Sequence, residues 1–124
     1  MDALKQKSNQ TKNMTPDQEK TLHEAITKKG VPHQLDMVIE EAAELIQSIN
    51  KARRTGIIHE WGISAPCVEQ NMNQVEAYNN LCAETADLKI MLAQLEMMLD
   101  SERIKISVDR KINRLQENLN KIKS

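Results

Sequence analysis

Apolar residues return every three or four positions along most of this chain, and that spacing limits its possible folds more than any other feature. Leu35, Val38, Ala42, Leu45, Ile49 and Ala52 follow one another at intervals of 3, 4, 3, 4 and 3. Leu81, Thr85, Leu88, Leu92, Leu95 and Leu99 continue the rhythm at 4, 3, 4, 3 and 4, and Val108, Ile112, Leu115, Leu119 and Ile122 at 4, 3, 4 and 3. At about 100° of rotation per residue, each row draws a stripe down one side of an α-helix. Three glycines and three prolines in 124 residues leave too little turn chemistry for a many-stranded sheet. The expected fold is therefore all-α.

Punctuation between the rows divides the chain. Thr15-Pro16-Asp17-Gln18 opens a short first helix, with Thr as N-cap, Pro at the first helical position and Gln completing a capping box. Gly30, with Pro32 just beyond, closes it. A second helix is expected from about His33 to Arg54, ended by Thr55-Gly56, with Lys51, Arg53 and Arg54 where the helix dipole favours cations. Residues 57–67 contain Gly62 and Pro66 and form the one substantial loop. A third helix begins between Ser64 and Asn73 and runs to about Asp100, and Ser107 caps a last one. Residues 1–14 are polar and without periodicity, a tail. Residues 15–124 read as one helical bundle, a short helix plus three long amphipathic ones.

Composition removes several functions. Lys plus Arg is 17 and Asp plus Glu is 18, a net charge of −1, without the basic excess of a nucleic-acid binder. With no Phe, one Tyr and one Trp, there is no platform on which single-stranded bases stack, so no polymeric nucleic acid is expected as partner. Cys67 and Cys82 have neither a CxxC companion nor His spacing for zinc, and no disulfide framework follows from two such residues. The first residues lack the apolar core of a signal peptide. The most apolar stretch, Leu81–Leu99, carries Glu84, Asp87, Lys89 and Glu96, which excludes a membrane span. A cytoplasmic location is the expectation.

Two carboxylate clusters carry the possible chemistry. Glu40-Glu41-Ala42-Ala43-Glu44 lies in the second helix and Glu84-Thr85-Ala86-Asp87 in the third. Residues three apart stand only about 60° apart around a helix, so Glu41 and Glu44 share a face, as do Glu84 and Asp87. Carboxylates on facing helices can converge on a hard divalent cation such as Mg²⁺, which prefers an octahedron of oxygens. Glu40, nearly opposite the apolar stripe, is where solvated charge is ordinary. The second pair is more telling. Thirteen of the 19 residues from Leu81 to Leu99 are apolar, so that helix should be buried, and Glu84 and Asp87 with it. Buried carboxylates need a partner. Lys89 points about 200° away from Asp87, and a bound cation is the simplest alternative.

On these residues the chain resembles the MazG-like all-α nucleoside triphosphate pyrophosphohydrolases, whose signature is EExxE on one helix and ExxD on the next. Here these are Glu40-Glu41-x-x-Glu44 within MVIEEAAELIQSI and Glu84-x-x-Asp87 within CAETADLKIMLAQL. The likeness spans roughly residues 20 to 120. One departure is the 39 residues between Glu44 and Glu84, more than is usual in the family, mostly between Gly56 and Asn73. The resemblance implies that Glu41, Glu44, Glu84 and Asp87 bind Mg²⁺, with Mn²⁺ as a substitute, and that the metal holds the triphosphate. Water then attacks the α-phosphorus and pyrophosphate leaves, with Glu40 orienting or deprotonating that water. The phosphoribosyl-ATP pyrophosphatases share similar motifs and are the alternative within enzymes; a non-catalytic helical interaction protein is the alternative outside them.

Further residues are candidates with ordinary rivals. Lys111 and Arg114 flank the last apolar stripe and either grip phosphate oxygens or form a solvated face. Gln34 matches a position near the family's nucleotide site, or is simply an exposed residue of the helix start. Trp61 either stacks on a base or closes a small satellite core in its loop. His23, His33 and His59 show no ligand spacing, and the seven Met are core filler. Because the third helix is apolar on more faces than one chain can cover, a homodimer or homotetramer is expected.

Overall fold

The computed structural model describes residues 14–66 and 71–123. It is all-helical apart from one small hairpin: α1 (Pro16–Lys29), α2 (Val31–Thr55), β1 (Ile58–His59), β2 (Gly62–Ile63), α3 (Met72–Met98) and α4 (Ser101–Lys123). The short first helix and three longer ones are those expected.

Local chemistry fixes the boundaries. The Gln18 N–H donates to Thr15 Oγ1 at 3.1 Å and the Thr15 N–H to Gln18 Oε1 at 3.0 Å, a complete capping box with Pro16 inside it. Gly30 takes φ +92°, a conformation side chains disfavour, and its N–H returns to the Ile26 carbonyl at 2.8 Å. Helix α2 starts at once, with Pro32 in its first turn. The last helix starts six residues before the expected cap at Ser107. The Asp100 carboxylate accepts from the N–H groups of Glu102 and Arg103 at 3.0 and 3.3 Å, so it meets the unpaired amides first.

Antiparallel packing of α2 on α3 is the backbone of the fold. Gln34 pairs with Gln94, Glu41 and Glu44 with Asp87 and Glu84, Ala52 with Ala77, and the Thr55 carbonyl with Gln74 Nε2. Paired numbers add to 128 or 129 throughout, so the register holds over six turns. The seam of α2 is Gln34, Val38, Glu41, Leu45, Ser48 and Ala52, of which Gln34, Ser48 and Ala52 are buried and the others half-buried. That of α3 is Ala77, Leu81, Glu84, Leu88, Met91 and Leu95. Both are turned about 50° from the stripes drawn through apolar residues alone. Leu35, Leu92 and Leu99, members of those stripes, stand 40%, 45% and 55% exposed.

The apolar plug lies at one end of this seam. Ala52, Ile57 and Ala77 form a buried cluster, with Tyr78 and Leu81 packed on it. Ile57 reaches it because Gly56 ends α2 in the left-handed region at φ +80° and turns the chain inward. The loop expected after α2 is in part a β-hairpin, with Ile58 opposite Ile63 and His59 opposite Gly62. Ile57, not Trp61, fills the small core beneath it; Trp61 is 76% exposed and stacks on His59 with ring centroids 4.6 Å apart. The third helix is also less covered than expected: α2 and, to a smaller extent, α1 pack on it, and Ile90, Leu92, Met97 and Leu99 stay exposed. Among the described elements, helix α4 packs mainly on α3.

Candidate metal centre

Midway along the α2–α3 seam the layers turn acidic. Glu41 and Glu84 sit near the middle of their respective seams, and Glu44 and Asp87 lie about 60° further round. In an antiparallel pair, equal rotations away from the contact fall on the same side, so the four side chains converge on one edge. Each offers a carboxylate oxygen, and these oxygens all lie within 4.8 Å of one another. Glu41, Glu44 and Glu84 are half-buried and Asp87 is exposed, so the cluster opens to solvent at Asp87.

Electrostatics in the metal-free cluster are unfavourable. Burial pushes the Glu41 carboxyl above its ordinary value of 4.5, and the charges of Glu44, Asp87 and Glu84 push it further. Glu84 is raised for the same first reason, then by hydrogen bonding and charge from Glu44 and by the charge of Asp87. Both carboxyls have one oxygen, Oε2, shielded from water and without a hydrogen-bond partner. A shielded, unpaired carboxylate oxygen is costly. The four carboxylates together are a hard-oxygen donor set of the kind that Mg²⁺ or Mn²⁺ accepts, and a divalent ion would relieve both the crowding and the two orphaned oxygens.

Other sequence candidates lie elsewhere. Glu40 is exposed, one turn before Glu44 and on the same edge. Gln34 is not an exposed helix-start residue. It is 3% exposed, and its Nε2 donates to Gln94 Oε1 across the seam while His33 Nδ1 lies 2.8 Å from its Oε1. Trp61 follows the far end of α2, whose last residue, Thr55, is eleven residues or about 16 Å along the axis from Glu44. Lys111 and Arg114 are on α4, which leaves α3 beyond Met98, eleven residues or about 16 Å past Asp87. One chain does not bring these three residues to the cluster.

Two residues went unnoticed in the sequence. Gln94 secures Gln34, and Ser48 is buried with its hydroxyl unpartnered, one turn beyond Glu44. A signal for them existed. Gln34, Glu41, Ser48 and Thr55 recur every seven residues, a polar heptad interleaved with the apolar heptad Val38, Leu45 and Ala52.

Comparison with known proteins returns no matching family model, no matching curated protein and no matching solved structure. Among the described residues, no helix is long and apolar enough to cross a membrane.

Proposed function

We propose that this chain is a Mg²⁺-dependent nucleoside triphosphate pyrophosphohydrolase, converting a (deoxy)nucleoside triphosphate and water to the monophosphate and pyrophosphate. One observation carries the reading: Glu41, Glu44, Glu84 and Asp87 converge within 4.8 Å from two helices, in the EExxE-then-ExxD order of the MazG-like enzymes. The shielded, unpartnered oxygens of Glu41 and Glu84 add support, because they describe acids that lack a counter-charge. A divalent cation bound there supplies charge neutralisation on the triphosphate and a lowered pKa for the attacking water.

The chain's own residues divide the remaining work. The four carboxylates would hold a divalent ion from two helices whose register is locked by Gln34–Gln94 on one side and by the Ala52–Ile57–Ala77 plug on the other. Glu40, exposed one turn from Glu44, is the group assigned to take the proton from water. Water adds at the α-phosphorus, the bond from that phosphorus to the bridging oxygen breaks, and pyrophosphate departs with the electron pair.

The test is a Mg²⁺-dependent release assay across the common ribo- and deoxyribonucleoside triphosphates and phosphoribosyl-ATP, run in ¹⁸O-labelled water. Label is expected on the monophosphate. Label on pyrophosphate would place the attack at the β-phosphorus, and orthophosphate with a diphosphate would sink the assignment. Glu44→Gln and Asp87→Asn each remove a ligand charge with little change in volume, so turnover should vanish while circular dichroism keeps its helical signal. Wild-type rates in either variant would remove that residue from the metal shell.

A further inference from the structure

Among the described residues, three shielded side-chain oxygens have no hydrogen-bond partner: Oε2 of Glu41, Oε2 of Glu84 and Oγ of Ser48. Two belong to the acidic layer. The third has no part in the ligand set. Ser48 is 5% exposed, one turn beyond Glu44, and stands about 20° from Glu41 on the Glu44 side of the α2 seam. A hydroxyl inside a helix commonly donates to a carbonyl about one turn back. The four threonines within α1, α2 and α3 do so: Thr21 to Asp17, Thr27 to His23, Thr55 to Ala52 and Thr85 to Leu81, at 2.7–3.1 Å. Ser48 makes no such bond, so its hydroxyl is a donor held out of water with its hydrogen unspent.

Antiparallel packing directs this donor to one of the two orphaned carboxyls. In the register of the pair, Ser48 lies opposite Asn80 and Leu81, and Glu84 opposite Glu44 and Leu45, in adjoining layers. Side chains on a helix lean toward its N-terminus. Ser48 therefore leans toward the layer of Glu84. Glu84, on a helix that runs the other way, leans toward the layer of Ser48. Glu41 leans toward Val38 and away from Ser48, which leaves Glu84 as the acceptor. We propose that Ser48 is a positioning residue of the metal centre: its hydroxyl donates to the carboxylate oxygen of Glu84 that does not face the ion, and so fixes the orientation of that ligand. This role rests on the divalent-cation reading of the acidic layer. Carboxylates that ligate a metal are themselves held by hydrogen bonds, and loss of such a partner typically costs about 10–100-fold in metal affinity. A serine suits the task because it supplies a hydrogen without a positive charge, which would compete with the cation for the same acids.

The test is calorimetric titration of the full chain with Mn²⁺ at neutral pH, without nucleotide, beside thermal melts of the metal-free protein. Ser48→Ala should weaken Mn²⁺ binding by about 10–100-fold. Ser48→Thr, which keeps the hydroxyl, should bind close to wild type. Metal-free stability should not follow the affinity. Ser48→Ala deletes a shielded donor that has no partner in the empty site, so its metal-free melting temperature should equal or exceed that of wild type. Unchanged Mn²⁺ affinity in Ser48→Ala would make the serine a space-filler and overturn its role, while the metal centre stands. Binding by Ser48→Thr as weak as by Ser48→Ala would trace the effect to side-chain volume and overturn the role as well. A helical wild-type chain that takes up no Mn²⁺ would overturn the metal centre and the role of Ser48 together.

Discussion

Helices α2 and α4 are of similar length and similarly amphipathic, yet they meet opposite fates in one chain. Helix α2 lies against α3 along six turns, with a polar pair, an acidic layer and an apolar plug in sequence. Helix α4 runs 23 residues with every residue of its apolar row exposed. The contrast teaches that a stripe of the right period specifies a helix and not a partner. What distinguishes α2 is its interleaved polar heptad: Gln34 and Glu41 each have a counterpart at the matching position of α3, whereas the apolar row of α4 stays exposed.

The largest expected effect breaks the comparison at the plug. Ile57 is 1% exposed, and Ile57→Ala should cost about 2–5 kcal/mol by chemical denaturation. Leu119→Ala, in the exposed row of α4, should move stability by no more than about 0.5 kcal/mol. Comparable losses would show α4 packed on its own chain.

Next in size is the buried amide pair. Gln34→Leu leaves the Gln94 amide shielded without its partner, an expected loss of about 1–3 kcal/mol. Gln34→Leu/Gln94→Leu should recover much of that loss, since two apolar groups orphan nothing. A double variant as damaged as the sum of the two singles would remove the pair from its role in setting register.

The acidic layer gives a smaller effect whose sign is informative. Glu41 and Glu84 hold their protons more tightly folded than unfolded, because both carboxyls are raised by burial and neighbouring charge. Their contribution to stability is therefore complete below pH 4.5 and is lost as pH rises through the higher folded values. Thermal melts of the metal-free protein should show this decline above pH 4.5, steeper in wild type than in Glu41→Gln. Millimolar Mg²⁺ or Mn²⁺ at neutral pH should raise the wild-type melting temperature, by about 2.7 kcal/mol of stability at a hundredfold excess over Kd. No upward shift with either ion would count heavily against a metal centre.

Much of this protein was legible in its residues. Thr15, Pro16, Gln18, Gly30 and Gly56 mark helix ends by local chemistry that needs no distant contact. EExxE and ExxD placed the four carboxylates on two successive helices, and spacing alone set Glu41 beside Glu44 and Glu84 beside Asp87. The misjudgements share one physical cause. A stripe drawn through apolar residues passes over polar residues that the packing of α2 on α3 buries, so it misses Gln34, Glu41 and Ser48 and turns the α2 face by about 50°. Trp61 misled in the opposite sense: size and apolarity suggested a core, but Ile57 stands next to the Gly56 turn and fills the space first.

By itself, then, the sequence determined the number, order and amphipathic character of the helices, since caps, breakers and 3.6-residue periodicity act within a few residues of one another. Tertiary structure alone decided the rotation of each helix, the antiparallel register that gathers four carboxylates within 4.8 Å on one edge, and the exposure of the apolar row of α4. Those outcomes depend on contacts between residues 40 to 60 positions apart, such as Glu44 with Glu84 and Gln34 with Gln94, where pairing a shielded amide or crowding two acids outweighs the preference of any single segment.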